Sequence, residues 1–497
     1  MKYSYLTASA LGLILAASFM QPAHADAETD ALRQQVKALE VRLDQLEKKQ
    51  KQQVAAPAPT AAAASVSSNG SLAKQVAIIE RKQENDEEGA KMLAESSPKV
   101  EVGGGKGLTV TSPDKQYSFN IHGYVQADNR TFLDRPSGAS GNTDTFLVRS
   151  ARPFFDAKIT DYFNARFMLD FGRGQTTVLD AYGDFHPMPS SNLVNVRAGE
   201  FKVPVGLERW EPEESVLFVE RGQTTNLVPY RDIGAMLYGQ IIPNQLEYNV
   251  GVVNGAADLQ AQTGDNDNDK DVVGRVFTNP LRWSQIPLLE GLGIGVAGTY
   301  GIHQGSTATG ASGLTAGYVT TGQRTYFTYT PAAGTVFANG PQWRLNPQIM
   351  YYHGRFGAFG EYVENTQEVA KTGGADSKLQ NNAWMGTASY VLTGEDAAFD
   401  GVHPTHDFDP RSDHWGAFEL VGRVSKLDVD SKAFPLFASL TTSSKSAFER
   451  TAGVTWYFNN SVKLNLDFAY TTFDGGAAGG LDHKAEEAIL TRTQFKF

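Results

Sequence analysis

Basic side chains within a strongly apolar stretch are the residues of this sequence whose chemistry stands out. Lys202, Arg209, Arg221 and Arg231 lie among Val, Leu, Phe and Trp between residues 199 and 231. Six glutamates share that stretch: Glu200, Glu208, Glu211, Glu213, Glu214 and Glu220. A guanidinium group stays charged and binds oxyanions through paired hydrogen bonds. The mixture suits neither a core strand nor a plain surface loop, and it predicts surroundings that are both wet and partly apolar.

Motifs for catalysis are not found in the sequence. No G-x-S-x-G, H-E-x-x-H or P-loop occurs, although a Ser–His–Asp grouping made by the fold stays open. The acidic run at residues 265–271 begins like a calcium loop, but Lys270 and Val276 stand where an EF-hand needs Gly and Glu. Residues 403–414 gather three histidines and three aspartates, so a Zn or Ni site is an alternative to an ordinary loop there. We predict a protein that is not an enzyme and expect neither a cofactor nor a metal.

The first residues have the features of an export signal. Lys2 precedes a short apolar run at residues 11–17, and Ala23 to Ala25 form an A-x-A cleavage site, so residues 1–25 are predicted to be a signal peptide. No later run reaches the roughly 18 apolar residues that a membrane helix needs. The chain has no cysteine, so disulfides do not stabilise it. Its formal charge of −11 argues against nucleic acid as a partner.

Two segments after the signal have helical periodicity. Residues 26–53 carry a heptad seam made of Leu32, Val36, Leu39, Leu43 and Leu46. The seam predicts a short coiled coil in the periplasm, with a solvated, fraying helix as the alternative because so short a helix is marginal in water. Residues 54–70 are rich in Pro, Ala and Ser and are predicted to be a linker. Residues 71–116 are predicted to be a second helical stretch followed by a Gly-rich linker.

Residues 117–497 alternate between apolar and polar side chains with a period of two. Sixteen segments have the pattern: 118–128, 146–156, 163–171, 178–186, 193–200, 232–241, 245–253, 272–279, 293–302, 344–352, 355–364, 380–392, 415–427, 446–458, 461–473 and 488–497. Backbone groups that face lipid must pair within the protein, so an exported chain without apolar helices crosses a bilayer as a closed barrel. The pattern predicts an all-β fold, a transmembrane antiparallel barrel of about 16 strands. A soluble multi-sheet periplasmic protein is the alternative.

The connections between these segments provide a test of the barrel. If both ends of the barrel lie in the periplasm, short turns should alternate with longer outer loops. Sequences such as "PMPSSN", "PN", "HGR" and "NN" fall at inner positions, whereas residues 303–343 fall at an outer one. Residues 393–414 are the exception, because they are too long for an inner turn. The last strand ends in Phe497, which resembles the signal that such barrels present to their assembly machinery.

Seven basic residues are the candidates for a lumen lining. Arg149, Arg166 and Arg197 lie at inward-facing strand positions, and the third outer loop, residues 201–231, adds four more: Lys202, Arg209, Arg221 and Arg231. Packed into the lumen, that loop would narrow a wet passage and filter solutes by size and charge. Two alternatives remain open. The loop could cap the barrel through salt bridges, and inward charges of both signs could simply pair with cross-strand neighbours.

Several stretches resemble the phosphate-selective porin family, the porin O and P type. They include "VRSARPFFDAKITDYFNARFMLDF", "VLDAYGDFHP" and "VRAGEFKVPVGLE", and they follow the order of the family across nearly all of residues 117–497. The resemblance implies a homotrimer of 16-stranded barrels that passes anions by diffusion along arginines and lysines. It also implies loops folded into the lumen, including a long periplasmic connection, which would explain residues 393–414. The run of alternating arginines found in strongly selective members is missing here.

The sequence therefore predicts an outer-membrane porin for small anions, with phosphate as the permeant that the resemblance implies. Its N-terminal extension would lie in the periplasm, and outer-membrane lipid and lipopolysaccharide would surround the barrel. A porin for sugars or carboxylates with weak charge selectivity is one alternative. A structural barrel that anchors the envelope through its coiled coil is another.

Overall fold

The computed structural model describes residues 67–133, 143–259, 261, 268–305, 312–330 and 334–497. The predicted signal peptide, the predicted coiled coil of residues 26–53 and most of the predicted linker lie outside these residues and remain predictions. Residues 265–267 of the acidic run are also outside them. In the described part of the chain, no helix has the length and apolar character needed to cross a membrane.

Within the described residues, one long helix, α1, spans Ser67–Ser96. It begins inside the predicted linker and covers the predicted helical stretch. Every side chain that the structure describes on α1 is exposed, including the apolar Ile78, Ile79, Met92 and Leu93. A helix without a buried face gains little stability from packing.

Residues 118–496 contain the strands of a closed barrel, as the alternation predicted. Twenty strands occur in the described residues: β1 Lys99–Gly103, β2 Gly107–Thr111, β3 Ser118–Phe132, β4 Thr145–Lys158, β5 Phe163–Asp170, β6 Thr177–Phe185, β7 Asn195–Lys202, β8 Arg231–Ile242, β9 Leu246–Val253, β10 Asp271–Thr278, β11 Leu292–Gln304, β12 Tyr318–Val319, β13 Thr325–Phe327, β14 Val336–His353, β15 Phe356–Lys371, β16 Ala375–Val391, β17 Ala417–Asp428, β18 Ser444–Tyr457, β19 Val462–Gly475 and β20 Glu486–Lys496. Strands β3 to β11 and β14 to β20 are the sixteen barrel strands, and each overlaps one predicted segment. The prediction of an antiparallel 16-stranded barrel is confirmed.

The barrel closes between its last and first strands. Strand β20 pairs with β3 in an antiparallel register that runs from Ala488 opposite Phe132 to Lys496 opposite Tyr124. Two backbone hydrogen bonds between Gly123 and Phe497 extend this seam. No barrel strand is left with a free edge over the paired length, so the backbone groups are satisfied as lipid requires.

The side-chain alternation puts apolar residues outside and polar residues inside. In β19, Leu466 and Phe468 are about half exposed, whereas Asn465 and Asp467 are buried in the lumen. Other outward positions carry large apolar residues that are also about half exposed, such as Val250, Val252, Ile294, Val296, Leu345, Ile349, Leu420 and Val424. An apolar outer band with a polar interior is the pattern of a barrel that sits in a bilayer.

The barrel has two different ends. We call the end that holds Ser118 and Lys496 the turn end, and the opposite one the loop end. Short connections at the turn end include 243–245, 354–355 and 458–461, and the connection of residues 203–230 lies at the loop end. The connection of residues 392–416 is the long exception at the turn end, as the sequence indicated. The turn end also carries α3, Pro287–Glu290.

A hairpin precedes the barrel where the sequence predicted only a Gly-rich linker. Strands β1 and β2 pair with each other, and β2 pairs with β3 through Leu108 opposite Ile121 to Thr111 opposite Ser118. The hairpin occupies the edge of β3 just beyond the last residue of β20. Gly107 has a φ of +73°, and a Cβ there would lie 2.0 Å from the carbonyl oxygen of Ile121. The glycines therefore allow a close turn rather than a break in structure.

Candidate functional site

The third loop at the loop end folds into the lumen. We call residues 203–230 loop 3; it contains the short helix α2, Leu207–Trp210, and a 3-10 turn, Gln223–Leu227. Most of its residues are buried, and Val203, Val205, Leu227 and Val228 have almost no exposed surface. An apolar loop of this length gains stability by burial, which is why it lies inside the barrel rather than in water.

One apolar cluster of loop 3 packs against the wall formed by β10 and β15 to β17. Leu207, Leu217 and Phe218 form an apolar cluster with wall residues of β10, β15, β16 and β17: Phe277, Phe359, Met385 and Val421. The wall opposite, from β3 to β8, does not contribute to this cluster. The loop therefore divides the lumen into a filled side and an open side.

Hydrogen bonds join the backbone of loop 3 to β18 and β19. The carbonyl oxygen of Leu217 accepts from Asn465 at 2.9 Å and from Thr455 at 3.1 Å. The amide of Val219 donates to Asp467 at 2.6 Å, and Lys463 donates to the carbonyl of Val216 at 3.1 Å. Inward-facing polar residues of these strands thus hold the loop rather than line an open channel.

Arg423 of β17 is the buried cation that anchors the loop. Its guanidinium donates to Glu208 of α2 at 2.9 Å and to Glu449 of β18 at 3.2 Å. It also donates to the carbonyl of Glu220 at 3.0 Å and lies 4.4 Å from the ring centre of Phe218. The Arg423 side chain has no exposed surface. Removing one partner of so buried an ion pair costs about 3–5 kcal/mol, because the other charge stays buried alone.

A second segment covers loop 3 on the loop end. Residues 312–330 carry β12 and β13, and Val319 exchanges two hydrogen bonds with the side chain of Asn226. Tyr326 donates to Gln223 at 2.9 Å. This segment was predicted only as part of a long outer loop, without a lumen position. Residues 312–330 therefore extend the filled side of the lumen toward the loop end.

The long turn-end connection, residues 392–416, contacts loop 3 from the turn end of the barrel. Ser215 donates to the carbonyl of Asp400 at 2.7 Å, and Phe399 packs edge-on against Phe359 at 5.8 Å between ring centres. Val402 is buried. Residues 392–416 therefore fold inward, and this explains why they are longer than a turn.

Two cavities remain on the open side, between loop 3 and strands β3 to β8. The loop-side cavity has a volume of about 470 Å³, and the turn-side cavity one of about 270 Å³. Arg152 and Glu213 line both cavities and lie 3.8 Å apart. The Arg152–Glu213 pair therefore lies between the two volumes. We call the two cavities, with this pair between them, the slot.

All seven basic residues singled out from the sequence line this slot. The loop-side cavity is lined by Arg149, Arg209 and Arg221. The turn-side cavity is lined by Arg166, Arg197, Lys202 and Arg231. The residues are far apart in sequence, and the infolding of loop 3 brings them together.

Two further arginines that sequence reasoning did not select also line the slot. Arg152 is buried in the wall, where it donates to Asp170 at 2.7 Å and to Tyr124 at 2.8 Å. Strict alternation would place Arg152 outside if Arg149 is inside. A β-bulge breaks the alternation, because Gln126 faces Ser150 whereas Ala127 faces Val148, and Arg149 is left over. Arg173, from the connection after β5, lines the loop-side cavity.

Most cations of the slot are neutralised by a carboxylate. The pairs are Arg149–Glu220 at 2.6 Å, Arg152–Asp170 at 2.7 Å, Arg166–Asp156 at 2.6 Å, Arg197–Asp184 at 2.8 Å, Arg221–Glu213 at 2.7 Å and Arg231–Asp180 at 2.8 Å. The alternative that inward charges pair with neighbours therefore describes these six arginines. Pairing holds the guanidinium groups in fixed positions and weakens the field that a solute meets.

Glu220 of loop 3 contacts arginines of three adjacent strands, Arg492 of β20, Arg130 of β3 and Arg149 of β4. It lies 2.6 Å from Arg149, 2.8 Å from Arg130 and 3.7 Å from Arg492. Burial alone would raise the pKa of Glu220, but the neighbouring guanidinium of Arg149, followed by that of Arg130, holds the pKa well below its usual range. The carboxylate therefore stays ionised at neutral pH and ties loop 3 to the wall.

Three basic side chains of the slot have no carboxylate partner. In the part of the chain that the structure describes, no carboxylate oxygen lies within 4 Å of Arg173, Lys202 or Arg209. Lys202 donates to the carbonyl of Glu211 at 3.0 Å, and Arg209 donates to the carbonyl of Thr225 at 3.0 Å. Nε of Arg209 is buried without a partner among the described residues. The slot consequently carries a positive excess.

The histidine-rich part of the turn-end connection does not assemble a metal site. His406 and His414 stack at 4.4 Å between ring centres, and His403 contacts Asn460 at 2.8 Å. Among the described residues, no group of three or more His, Cys, Asp or Glu side chains is placed to hold a metal ion.

A closed barrel with an apolar outer band, a polar lumen and a loop that narrows a charged slot defines the protein as an outer-membrane porin. The family follows from sequence comparison, because a model of the family called phosphate-selective porin O and P matches residues 119–497. The chain belongs to this family. The family and the fold are those of a channel rather than an enzyme.

Individual relatives agree with this assignment. The chain is 23% identical to Porin O of Pseudomonas aeruginosa over 413 residues, which covers 79% of this chain and 91% of that protein. The outer membrane channel DcaP of Acinetobacter baumannii has a similar fold, with a TM-score of 0.51 at 10% identity over 77% of this chain and 98% of that one. An anion-selective porin from Comamonas acidovorans gives a TM-score of 0.47 at 11% identity over 77% of this chain and all of that one. Because this TM-score is below 0.5, the comparison with the Comamonas porin does not contribute to the assignment.

Proposed function

We propose that this porin passes small anions through the slot between loop 3 and strands β3 to β8, with a modest preference for anions over cations. Support comes from the lining of the two cavities. Nine lining residues are basic: Arg149, Arg152, Arg166, Arg173, Arg197, Lys202, Arg209, Arg221 and Arg231. Five are acidic: Asp170, Asp180, Glu213, Glu214 and Glu220. The preference is modest because most of the arginines already have a carboxylate partner.

The three cations without a carboxylate attract an anion into the slot. Arg173 and Arg209 line the loop-side cavity, and Lys202 lines the turn-side cavity, so an anion meets one after another along its path. Conduction needs binding that is strong enough for entry and weak enough for release. The paired arginines provide fixed hydrogen-bond donors without holding an anion permanently. Inorganic phosphate is the oxyanion that we propose as a permeant, because a guanidinium matches its geometry.

The test is the reversal potential of the purified protein in a planar bilayer with a KCl gradient across it. We expect the reversal potential to have the sign that selective permeation by chloride produces. We also expect the chloride current to fall when inorganic phosphate is added. A potential of the sign that potassium gives would contradict the proposal. A protein that inserts but does not conduct would instead favour a structural barrel.

We also propose that the barrel assembles as a homotrimer, with lipopolysaccharide around it and the turn end in the periplasm. Support comes from the exposed apolar band and from Phe497, whose backbone extends the closing seam. Recognition of the last strand by the barrel assembly machinery belongs to the same proposal. Native mass spectrometry in detergent tests the trimer, and a monomer under conditions that preserve conductance would contradict it.

Deletion of residues 27–95 should leave channels that still conduct with the same selectivity. The reason is that every residue that lines the two cavities lies after residue 121. Single-channel recording of the deletion variant checks this. If barrels assembled but no longer conducted, the N-terminal extension would be part of the permeation path.

A further inference from the structure

The wall of the turn-side cavity is aromatic as well as basic. Tyr124, Phe154, Tyr182 and Trp210 line it, together with the imidazole of His122. His122 stacks on Phe154 with ring centres 4.7 Å apart, and Tyr124 lies 5.9 Å from Phe154. Hydrated inorganic ions gain nothing from such surfaces. An aromatic solute gains both from burial of its ring and from ring–ring contact.

Guanidinium groups face several of these rings. The guanidinium carbon of Arg197 lies 3.8 Å from the ring centre of Tyr182, and that of Arg166 lies 5.5 Å from the ring centre of Phe154. The rings are thus held beside fixed cations, so a solute with a ring next to an anionic group would find both kinds of contact within one cavity.

The turn-side cavity has one basic side chain without a carboxylate partner, which suits a solute with a single negative charge. The carboxylates that line the same cavity are Asp180, Glu213 and Glu214. Each of its four arginines has its own carboxylate, through the pairs Arg152–Asp170, Arg166–Asp156, Arg197–Asp184 and Arg231–Asp180. Lys202 is the cation of this cavity that has no carboxylate within 4 Å in the described residues. One nitrogen of Arg231, Nη1, is also buried without a partner there. Arg231 lines the cavity and is 2% exposed, so bulk water does not satisfy this donor.

The size of the cavity suits one ring. A volume of about 270 Å³ exceeds the roughly 150 Å³ of a protein cavity that binds benzene. Trp210 is half-buried on α2 and lines both this cavity and the neighbouring one of about 300 Å³ toward the turn end. It is therefore the aromatic side chain placed to contact a solute that enters or leaves on that side.

We propose that the turn-side cavity is a binding site for aromatic monocarboxylates, with the carboxylate at Lys202 and Nη1 of Arg231 and the ring against Trp210 and Phe154. This inference rests on the proposed function, because the solute must reach the cavity through an anion-passing slot. It narrows the substrate class from small anions in general to anions that carry an aromatic ring. The contribution of the ring separates this class from phosphate and from aliphatic carboxylates.

Block of the KCl current by benzoate, acetate and inorganic phosphate tests the proposal. Each anion is added at pH 7.5 to the full-length protein in a planar bilayer, and the concentration that halves the current is measured. We expect benzoate to act at a concentration about tenfold below that of acetate, a difference of about 1.4 kcal/mol. Equal values for benzoate and acetate, or a lower value for phosphate than for benzoate, would overturn the proposal.

Variants of Trp210 assign the effect to this cavity. Trp210→Ala should reduce the benzoate advantage over acetate to less than about threefold, whereas Trp210→Phe should keep most of it because a ring remains. Trp283→Ala is the matched control, since Trp283 is 67% exposed in the turn after β10 and lines neither cavity of the slot. An unchanged advantage in Trp210→Ala, or the same loss in Trp283→Ala, would place the ring elsewhere and overturn the assignment.

Failure of this inference is distinguishable from failure of the proposed function. If the reversal potential has the sign for chloride but benzoate blocks no better than acetate, the anion slot stands and the aromatic site is wrong. If the reversal potential has the sign for potassium, both are wrong.

Discussion

Replacing Lys202 and Arg209 together by glutamate is expected to turn the anion-preferring channel into a cation-preferring one. These two basic side chains of the slot have no carboxylate within 4 Å among the described residues. At about 10 Å in water, one unit charge changes the energy of an ion by ~0.4 kcal/mol. A change of four unit charges therefore alters the energy of the ion by about 1.6 kcal/mol. This energy corresponds to a change of more than tenfold in the preference for anions over cations. The measurement is the reversal potential of the double variant in a KCl gradient.

The control for this experiment changes the same charge at two exposed positions outside the slot. Lys115 lies in the turn between β2 and β3, and Lys378 is exposed on β16. The double variant Lys115→Glu with Lys378→Glu should shift the reversal potential far less, because salt screens charges beyond about 10 Å. Arg221→Glu should give an intermediate shift, since Arg221 is already paired with Glu213 at 2.7 Å. Equal shifts in the two double variants would show that the slot is not where ions are selected.

Replacing Arg423 by methionine is expected to release loop 3 from the wall. Glu208 and Glu449 would then be buried without their cation, at a cost of about 3–5 kcal/mol. The loop would leave its position to expose Glu208 to water, and the slot would widen. We expect a larger and noisier single-channel conductance with weaker charge selectivity than in the wild type.

Two comparisons separate release of the loop from a general loss of stability. Arg450→Met removes an exposed arginine of β18 that lies 4.4 Å from the ring centre of Phe448, and it should leave the conductance unchanged. The triple variant Arg423→Met, Glu208→Gln and Glu449→Gln removes all three charges and should restore a quiet, narrow channel. A wild-type conductance in Arg423→Met would mean that this ion pair does not position loop 3.

The barrel strands could be predicted because a membrane imposes their pattern directly on the sequence. Each strand has one face in lipid and one in the lumen, so Leu466 and Phe468 alternate with Asn465 and Asp467. No tertiary information is needed to recognise that period. The infolding of loop 3 was also predictable, because a connection rich in Val, Leu, Phe and Trp is not stable in water.

The residues that were missed depend on contacts that no local pattern encodes. Arg152 faces the lumen only because the bulge at Arg149 shifts the alternation by one residue. Arg130 lies in the lumen because β3 continues to Phe132, beyond the predicted end of that segment. Residues 312–330 lie in the lumen through contacts of Val319 and Tyr326 with loop 3, and these contacts join segments far apart in sequence.

The hairpin β1–β2 was missed for a related reason. Its sequence is dominated by glycine, which locally predicts a break, and its strands form only because the edge of β3 is available beyond β20. The net charge of the lumen could likewise be predicted only in part from the sequence. Sequence provided inward charges of both signs, but the pairing that neutralises six of the arginines depends on register and on loop 3.

The absence of cysteine from this chain allows a direct test of where solutes pass. Single cysteines at Thr177 and Met168 would lie in the loop-side and turn-side cavities, and single cysteines at Ser425 and Thr455 would lie under loop 3 on the filled side. A small anionic thiosulfonate reagent is added during single-channel recording of each variant. The account predicts a stepwise fall in current for Thr177→Cys and Met168→Cys and no change for Ser425→Cys and Thr455→Cys. A fall at the two filled-side positions, with none at the two slot positions, would contradict it.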